Sequence, residues 1–570
     1  MKTRKSTGSL WRILISAIII FILFYLELPP LNLRSESFWN FLFQCVIILL
    51  IINGFGVIRD ILSTLHVDGV HGMGGLNLRE TSKPFLLGAL LLIAIIVIQF
   101  LGGIVGHPFF HSGAYSRLIE VEDGDFSADV AELSMNQIPV VDKDSAQRLG
   151  SRKLGEMSDL VSQFEVMDMY TQINYQGTPY RVTPLQYGDV IKWFTNHSQG
   201  IPAYVMVNMV TQETSLKRLD EGMKYSPSEY FFRNINRHLR FAHPTLIFDF
   251  EDISFEINEE GTPFWVAPVI SYRIGLWSGK DVSGVVLVNA ITGEDQYYKL
   301  EDIPTWVDQV FISGLIINQL DYYGMYQNGY INSMFGQKGV RQTTEGYNYI
   351  AIGDDVYLYT GVTSVTSDES NIGFMLVNLR TKDAKYYTVP GATEASAMGS
   401  AQGQVQQMNY MATFPLLLNI SDRPTYFMSL KDAAGLVKMY AFVDVEQYQV
   451  VGTGTSVKAA MANYETALGV ENGELAPDSS QNTGSGETPA QEETAPLTPE
   501  ASVTGTISAV SSAVVNGNTR YYFLLDGDEN IYTASITLDS RLPFLKEGDS
   551  VTFEYAATGT TRTICSMEQQ

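Results

Sequence analysis

The chain of 570 residues has little cysteine, little histidine and no excess of positive charge. Its two cysteines, Cys45 and Cys565, exclude a disulfide framework and a cysteine-based zinc site. The 37 Lys and Arg face 62 Asp and Glu. This balance argues against nucleic acid as a partner, because phosphate binding needs clustered basic residues.

Hydrophobic residues, by contrast, make up 45% of the chain, which is too many for a disordered acidic protein. At roughly 100–200 residues per domain, we expect several domains. The formal charge of −25 is also uneven along the chain. Residues 1–106 carry eight basic and five acidic residues, and residues 471–502 and 503–570 carry net −7 and −4, which leaves −17 for residues 107–470.

Three long apolar runs, at 13–26, 38–58 and 85–105, lie in the positive part of the chain. Each is close to the roughly 20 residues that a membrane helix needs, and none has the polar face of a helix at a soluble surface. A cleaved signal peptide does not fit the first run, because no small-residue cleavage site follows it and two more runs do. The sequence therefore predicts a three-span transmembrane anchor over residues 1–106.

The orientation of the anchor follows from its basic residues, which are retained on the cytoplasmic side of a membrane. Four of them precede the first run, the loop 29–37 carries only Arg34, and the loop 59–84 carries three. We therefore expect a multi-pass protein of the cell membrane, in contact with the lipid bilayer, whose N-terminus is cytoplasmic. Residues from about 107 onward are then extracytoplasmic.

A repeated pattern marks residues 107–470. Asn or Asp follows a β-branched or aromatic run at four positions, namely Asn208, Asn289, Asn378 and Asp444. Polar residues such as Thr-Gly-Glu come next, and then a second β-rich run, which is typical of a hairpin. Another β-rich piece precedes each marker, and in the first two copies it opens with Gly-Thr-Pro. We predict at least three antiparallel strands in each copy.

Segments with helical spacing lie between these β-rich pieces, at roughly 143–165, 226–240, 305–322 and 394–412. Ser226-Pro-Ser-Glu has the composition of a helix start. The predicted fold class is therefore α+β: about four tandem repeats of a helix and an antiparallel meander. Neighbouring repeats should pack together, because a helix on a sheet buries only one face of the sheet.

The second repeat resembles a known family. Residues 243–300, with Gly261-Thr-Pro-Phe-Trp and a Val-Asn-Ala-Ile-Thr-Gly-Glu turn at Asn289, are similar to PepSY-type domains, in which that turn carries Asp. The resemblance implies a helix packed on a small antiparallel sheet, in a non-catalytic extracytoplasmic module that binds or restrains a partner. The whole chain also resembles multi-span envelope proteins of Gram-positive bacteria, which implies a location in the cell envelope.

Residues 471–502 hold seven acids, four prolines and no basic or aromatic residue, so we predict a disordered acidic linker. Residues 503–570 form five short β-rich runs that resemble an OB-fold, a small β-barrel. Tyr521, Tyr522 and Phe523 could stack on single-stranded nucleic acid, but four basic residues face eight acidic ones here. Alternating aromatics are more typical of a barrel core, so protein or glycan binding is favoured.

Few residues carry recognisable chemistry. His107 and His111 have the spacing of a helical metal pair, but Pro108 follows the first and no glutamate completes the motif, which favours a membrane-interface role. Polar residues suited to cations also occur at predicted hairpin turns, where they are expected for conformational reasons; these are Asp354, Asp355, Asp526, Asp528 and Asn530. We predict no cofactor, no metal and no catalytic residue.

The segment 323–336 is rich in Tyr, Met, Asn and Gly, a composition that suits adaptable contact surfaces. Its predicted partner-contact residues are Tyr323, Met325, Tyr326, Asn328, Tyr330 and Phe335. A packed loop between two repeats accounts for the same composition.

Together these patterns predict a non-enzymatic, membrane-anchored scaffold or ligand-binding protein of the bacterial cell envelope, with an unidentified envelope protein or glycan as partner. One alternative is an envelope enzyme, or enzyme accessory, with a site in a groove between repeats. Another is single-strand nucleic-acid binding by the last domain.

Overall fold

The computed structural model describes residues 4–68, 83–132, 138–365 and 367–471, and in the C-terminal part residues 501–515, 518–528, 530–535, 538, 541–542, 545–558 and 561–569. The fold is mixed α+β, as predicted. The chain divides into two compact units, Met1–Ala476 and Pro477–Gln570.

Three helices open the first unit: α1 (Arg4–Glu27), α2 (Glu36–Asp68) and α3 (Lys83–Val105). Within the described residues, one helical segment, Phe85–Val105, is long and apolar enough to cross a membrane. The predicted loop 59–84 is wrong for residues 59–68, which continue α2 as a helix. The part of that loop at 69–82 lies outside the described residues.

Four sheets with one common strand order follow the helices. In chain order the strands of this unit are β1 (Val121–Asp123), β2 (Phe164–Val166), β3 (Thr171–Tyr175), β4 (Thr178–Tyr187), β5 (Ile201–Asn208), β6 (Thr214–Met223), β7 (Ile247–Phe248), β8 (Ser254–Ile257), β9 (Pro263–Ile274), β10 (Ser278–Asn289), β11 (Asp295–Lys299), β12 (Arg341–Thr343), β13 (Asn348–Ile352), β14 (Asp355–Ser364), β15 (Ser367–Asn378), β16 (Ala384–Tyr387), β17 (Gly391–Ala392), β18 (Met411–Ala412), β19 (Leu416–Ile420), β20 (Arg423–Lys431), β21 (Val437–Asp444) and β22 (Val451–Gly454).

Sheet 1 has the order β2-β4-β5-β6. Strand β3 also pairs with β4, on the same side as β2. Sheets 2, 3 and 4 repeat this antiparallel arrangement with β7–β11, β12–β16 and β18–β22. Sheet 3 gains two strands, because β1 pairs with β16 in parallel and β17 pairs with β15. The predicted meander is thus present four times.

The markers are confirmed as hairpin turns. The side-chain Oδ1 of Asn289 accepts the backbone N–H groups of Ile291 and Thr292, at 2.9 and 3.1 Å. The hydroxyl of Thr292 accepts the N–H of Glu294, at 3.2 Å. Asn208 and Asn378 make the same pair of bonds, and Asp444 makes one of them. The repeated sequence therefore encodes a side chain that closes a tight turn.

A helix precedes each meander, as predicted, but with shifted bounds. The remaining helices are α4 (Pro108–Tyr115), α5 (Phe126–Asp129), α6 (Lys143–Gly155), α7 (Val190–Asn196), α8 (Ile235–Ala242), α9 (Ser313–Tyr326), α10 (Glu394–Gln404) and α11 (Val457–Glu471). Single helical turns, three of them 3₁₀ and the last a π turn, occur at Phe231–Arg233, Leu300–Asp302, Gln406–Met408 and Asn332–Gly336.

The predicted helix start at Ser226 is wrong. The Ser226 hydroxyl accepts the N–H of Ser228 in a local turn, at 3.0 Å, and Phe231 adopts a left-handed φ of 53° that no α-helix accommodates. The helix begins nine residues later, where the Asn234 side chain caps Ile235–Ala242 by accepting the N–H of Arg237.

The four sheets close into a ring, as the blades of a β-propeller do. Each sheet is bonded to the next, and sheet 4 is bonded back to sheet 1. One side-chain contact at each junction illustrates this: Tyr204 to Gly261 O at 2.8 Å, Lys382 to Asp281 at 2.6 Å, Asn371 to Tyr426 at 3.1 Å, and Gln212 to Tyr440 at 3.2 Å. The expectation that neighbouring repeats pack together is therefore confirmed.

The inner edge of the ring is formed by β3, β8, β13 and β19. Asn174 on β3 donates a hydrogen bond to Gly353 O, directly after β13, at 2.9 Å, and Thr171 on β3 accepts the N–H of Phe255 on β8, at 3.3 Å. Asn348 on β13 donates to Pro415 O, next to β19, at 3.3 Å. Polar side chains therefore hold the axis together, whereas apolar side chains fill the space between the sheets.

The second unit is a small barrel, as predicted. Its strands are β23 (Ala501–Val515), β24 (Asn518–Leu525), β25 (Ile531–Ser535), β26 (Ser550–Thr558) and β27 (Thr561–Gln569), which close in the order β23-β24-β25-β27-β26. The predicted linker 471–502 is shorter than expected, because Glu471 ends α11 and Ala501 begins β23. Its residues 472–500 lie outside the described residues.

Candidate functional site

The predicted contact segment begins on α9 and packs partly against the chain's own α4. Tyr326 and Tyr330 stack at 6.1 Å, Tyr115 lies edge-on to Tyr326, and His107 and Phe109 lie edge-on to Tyr330. Two of the six predicted residues thus have intramolecular aromatic partners. Their role in partner contact stays a prediction.

The other four residues differ in exposure. Tyr323 packs partly buried against the core between sheets 2 and 3, and Met325 is also partly buried. Asn328 donates a hydrogen bond to Lys338 O at 3.1 Å. Phe335 is 83% exposed, beside exposed Ile331 and Met334. The segment therefore combines a packed half with an exposed apolar tip.

The ring of sheets is joined to the N-terminal helices by an arginine. Arg240 on α8 is 1% exposed, and its guanidinium donates to Leu28 O, directly after α1, at 2.9 Å and to Leu246 O at 2.6 Å. Longer bonds reach His243 O and Pro244 O. Burial lowers the pKa of Arg240 to about 10, so the side chain stays charged at neutral pH.

A second contact joins α3 to the β9–β10 hairpin of sheet 2. Trp277 lies so close to Gly102 that a Cβ at this glycine would be 2.2 Å from the indole ring. Asn32, between α1 and α2, donates to Thr245 O at 3.0 Å. The three helices therefore meet the ring at one face.

The axis of the ring holds a pair of buried carboxylates, Glu256 on β8 and Asp308. Glu256 accepts the N–H groups of Asp308 and Gln309, at 2.8 and 3.0 Å. Asp308 in turn accepts the N–H of Asn174 with one oxygen, at 2.7 Å, and its other oxygen is buried without a partner. These bonds link sheets 1 and 2 with the segment that leads to α9.

Burial sets the protonation of this pair. It raises the pKa of Glu256 to about 7, against the bonds from the backbone N–H groups, which lower it. Burial, and then the charge of Glu256, raise the pKa of Asp308 well above its ordinary value. The pair therefore carries less than two full charges at neutral pH. Sequence reasoning missed it, because carboxylates are common throughout this acidic chain.

Arg181 on β4 is a second buried arginine of a different kind. It is 6% exposed, its Nε has no hydrogen-bond acceptor, and no described carboxylate forms an ion pair with it. Its position is also the one signal the sequence offers: a single basic residue inside the strand Thr178–Tyr187, among buried neighbours.

Of the residues weighed as metal ligands, Asp355 and His107 have local structural partners. Asp355 accepts both Arg380 Nε, at 2.6 Å, and Arg380 Nη2, at 2.9 Å. The Nδ1 of His107 accepts the N–H of Phe109 at the start of α4. Two further histidines at the end of α8, His238 and His243, both face Asp295, at 3.3 and 2.5 Å. The structure does not place Asp354 in an ion pair among the described residues.

In the barrel, Asp528 accepts the hydroxyl of Tyr532, at 2.6 Å, and the amide of Asn530, at 2.7 Å. Phe523 is fully buried and lies 5.4 Å from the ring of Phe553. It is therefore a core residue and not a stacking platform, as the alternation of aromatics indicated. Tyr521 packs partly buried against the same core.

Comparisons with known proteins name no relative. No family model matches the chain, and no curated protein matches it. Among solved structures, an ACO/RPE65 chimera is 8% identical with a TM-score of 0.13 over 71% of this chain and 62% of that chain. A levansucrase variant from B. megaterium is 9% identical with a TM-score of 0.18 over 79% of this chain and 96% of that one. At these TM-scores neither structure informs the fold or function of this chain.

Proposed function

We propose that the protein is a membrane-anchored scaffold of the cell envelope, whose ring of sheets binds a ligand or protein outside the cytoplasm without catalysing a reaction. The observation that carries the proposal is the junction between the ring and the N-terminal helices. Arg240 and Trp277 fix the ring directly at the ends of α1 and α3. An anchor that held a freely swinging domain would not need such a junction.

Three membrane spans agree with the surface of the helices. Large apolar side chains point outward on α1 and on α3, among them Trp11, Phe21, Leu87 and Phe100, each more than half exposed. Such surfaces are costly in water and suit lipid. The basic residues at and before the start of α1, and those from Arg59 to Lys83, favour a cytoplasmic N-terminus and an extracytoplasmic ring.

The PepSY-like assignment of the repeats is supported by the helix before each meander and by the Asn or Asp turn in all four sheets. The OB-like assignment of the last unit is supported by its five-stranded closed barrel, in which β25 and β27 pair in parallel. Both resemblances imply binding modules, and neither supplies a reaction.

A second candidate, an envelope enzyme, is favoured by clefts in the ring. One cleft of about 490 Å³ lies between sheets 1 and 3 and is lined by Asn174, Asn208 and Thr178. Its neutral amides and hydroxyls suit glycan hydroxyls as well as a peptide. The axis also holds two buried carboxylates, because the backbone N–H of Asp308 donates a hydrogen bond to the Glu256 carboxylate.

Site-specific labelling tests the topology. In a variant without native cysteines, Tyr448→Cys and Leu33→Cys should react with a membrane-impermeant maleimide on intact cells, whereas Lys5→Cys should react only after lysis. Tyr448 and Leu33 are exposed; Val450, two residues on, is 4% exposed and would be a poor target. Reaction of Tyr448→Cys only after lysis would overturn the extracytoplasmic assignment. Failure of Leu33→Cys alone would remove the first two spans.

Activity assays test the non-catalytic part of the proposal. The full chain should show no hydrolase or transferase activity on envelope glycans or peptides that is lost in Glu256→Gln but kept in Glu446→Gln, an exposed carboxylate. Activity with that pattern would show that the protein is an enzyme and would contradict the non-catalytic scaffold proposal.

A further inference from the structure

Arg181 poses a problem that the folded chain does not solve by itself. The side chain is 6% exposed among buried residues of sheet 1, and its Nε is buried without a hydrogen-bond acceptor. Burying a charge without a partner is expensive, and buried charges are ordinarily paired. Because Arg stays protonated in proteins, the charge cannot be removed by titration.

Gln172 has the same deficit next to Arg181. The two residues are directly opposite in the β3–β4 register, so their side chains share one face of the sheet. Gln172 is 2% exposed, and neither its Nε2 nor its Oε1 has a partner. Two adjacent buried side chains therefore have unsatisfied polar atoms: a donor on Arg181, and a donor and an acceptor on Gln172.

A cavity adjoins Arg181 where sheets 1, 3 and 4 meet. Its volume is about 30 Å³, and its walls include Asp142, Asn348 and Ser429. By the usual criterion this is room for one or two water-sized groups, such as a chloride ion or the head of a carboxylate. A further cavity of about 250 Å³ is lined by Gln172, Tyr347 and Tyr349.

Of the charged side chains around the small cavity, Asp142 has a partner and Arg181 has none among the described residues. Asp142 is on its wall, but this carboxylate accepts hydrogen bonds from the Lys431 ammonium and from the N–H of Ser145. Asp144 also acts on Arg181 electrostatically, and it is exposed to solvent and makes no ion pair with it. Lys431 thus balances Asp142, and the carboxylate left to oppose Arg181, Asp144, is at the surface and is screened by solvent.

We propose that Arg181, on the wall of the small cavity and with Gln172 opposite it on the neighbouring strand, binds a small anionic group, either a free monovalent anion or the carboxylate end of a larger ligand. The guanidinium supplies charge-assisted hydrogen bonds, and the Gln172 amide supplies a neutral donor beside it. This inference goes beyond the proposed function, since it requires neither the membrane anchor nor a protein partner.

Thermal unfolding of the full chain in detergent tests the site, with tryptophan fluorescence as the readout because Trp265 is fully buried. Sodium chloride and sodium acetate are compared with sodium hexafluorophosphate at equal ionic strength, since this monovalent anion has no carboxylate and is too large for the cavity. Chloride or acetate should raise the Tm by about 3 °C at saturation. Equal Tm values in all three salts would mean that water alone fills the cavity, and would overturn the proposal.

Variants locate the effect. Arg181→Gln should abolish the difference between the salts, whereas Arg218→Gln, which removes an exposed, ion-paired arginine, should keep it. Retention of the difference in Arg181→Gln would overturn the proposal. If Arg181→Gln fails to fold, Gln172→Leu serves instead, because it leaves the guanidinium in place. It should weaken the apparent anion affinity at least threefold, and unchanged affinity would contradict the site.

Two peptides distinguish the sources of the anion. Tetra-alanine with a free C-terminal carboxylate is compared with its C-terminal amide. A Tm increase with the acid at concentrations below those needed for acetate, and none with the amide, assigns the end of a larger ligand. A response to chloride and acetate with no preference for the peptide acid assigns a free anion.

Discussion

Two arginines, both almost fully buried, meet opposite environments in this molecule. Arg240, at the junction with α1, donates to four backbone carbonyl oxygens and lies over the rings of Phe248 and Phe250 at 5.6 and 5.4 Å. Arg181, near the axis, has an Nε that is buried without an acceptor. Burial lowers the pKa of both side chains.

The difference in hydrogen-bond partners indicates that Arg240 stabilises the fold, whereas we propose that Arg181 binds a ligand. Carbonyl oxygens that end a helix or line a loop need donors, and Arg240 satisfies several of them at once. Arg181 lies between strands, where the backbone carbonyl groups already pair with other strands, so no described backbone carbonyl accepts from it. Loss of Arg240 should therefore damage the fold, whereas loss of Arg181 should damage binding.

The largest expected effect comes from Arg240→Met. It strips four carbonyl oxygens of a charged donor, and we expect the free energy of unfolding to fall by about 4 kcal/mol. Arg181→Met, the matched control, should change it by less than about 1 kcal/mol, since the loss of packing is offset by removal of an unpartnered charge. Denaturant unfolding of the full chain in detergent measures both. Equal losses would erase the distinction between the two arginines.

The carboxylates at the axis sharpen the comparison, because they can neutralise themselves where arginine cannot. The pKa of Glu256 is raised from 4.5 in the unfolded chain to about 7 in the fold. The folded state therefore binds the proton more tightly, and stability is greatest below pH 4.5 with respect to this group. It declines as the pH rises from about 4.5 to 7, by on the order of 3 kcal/mol.

Glu256→Gln should flatten that decline, even though it also removes one acceptor for a backbone N–H and so lowers stability at every pH. The free energy of unfolding at pH 5 and pH 7.5 gives the measurement, and Glu446→Gln, an exposed carboxylate, gives the control. A Glu256→Gln variant with the wild-type pH dependence would show that Glu256 is not the group that takes up the proton.

The marker turns extend the comparison to neutral side chains, with an effect of about 1–2 kcal/mol. Asn289→Ala should cost this much, because two N–H groups lose their acceptor, whereas Asn289→Asp should cost little. Asn378→Asp should be costly, since the Asn378 amide donates to Asp355 at 2.8 Å and a second carboxylate there would repel the first. Thermal unfolding distinguishes the three. Equal effects of the two Asp variants would contradict this account.

The turns and meanders could be predicted from the sequence because both are local. The Asn of each marker and its bonded N–H groups lie within three residues, and strand periodicity needs only neighbouring positions. Ser226 shows the limit of local signals. The residues there predict a helix start, but the chain forms a turn in which Phe231 has a positive φ. Composition does not predict that turn.

Closure of the ring and the axial site could not be predicted, because they depend on residues far apart in the chain. Asn174 meets Gly353 across 179 positions, and Asp308 meets Asn174 across 134. Nothing in the pattern around Asp308 distinguishes it from other acids in a chain of net charge −25. Arg181 is easier to single out, since a lone basic residue within an apolar strand is expected to need a partner for its charge.

The smallest expected effect separates the two halves of the predicted contact segment. Tyr330→Ala should lower the free energy of unfolding by about 1–2 kcal/mol, because its ring packs on Tyr326, His107 and Phe109. Phe335→Ala should change it by less than about 0.5 kcal/mol, since that side chain is mostly exposed.

An exposed phenylalanine without stabilising contacts is the apolar counterpart of Arg181: both side chains contribute little to folding and are available to something outside the chain. A photo-reactive amino acid in place of Phe335 should therefore crosslink to a membrane lipid or envelope protein on intact cells. The same group in place of Tyr323, which is partly buried against the core, should not. Equal crosslinking at both positions would remove Phe335 from the predicted contact surface and leave Arg181 as the one side chain in this comparison that the fold does not use.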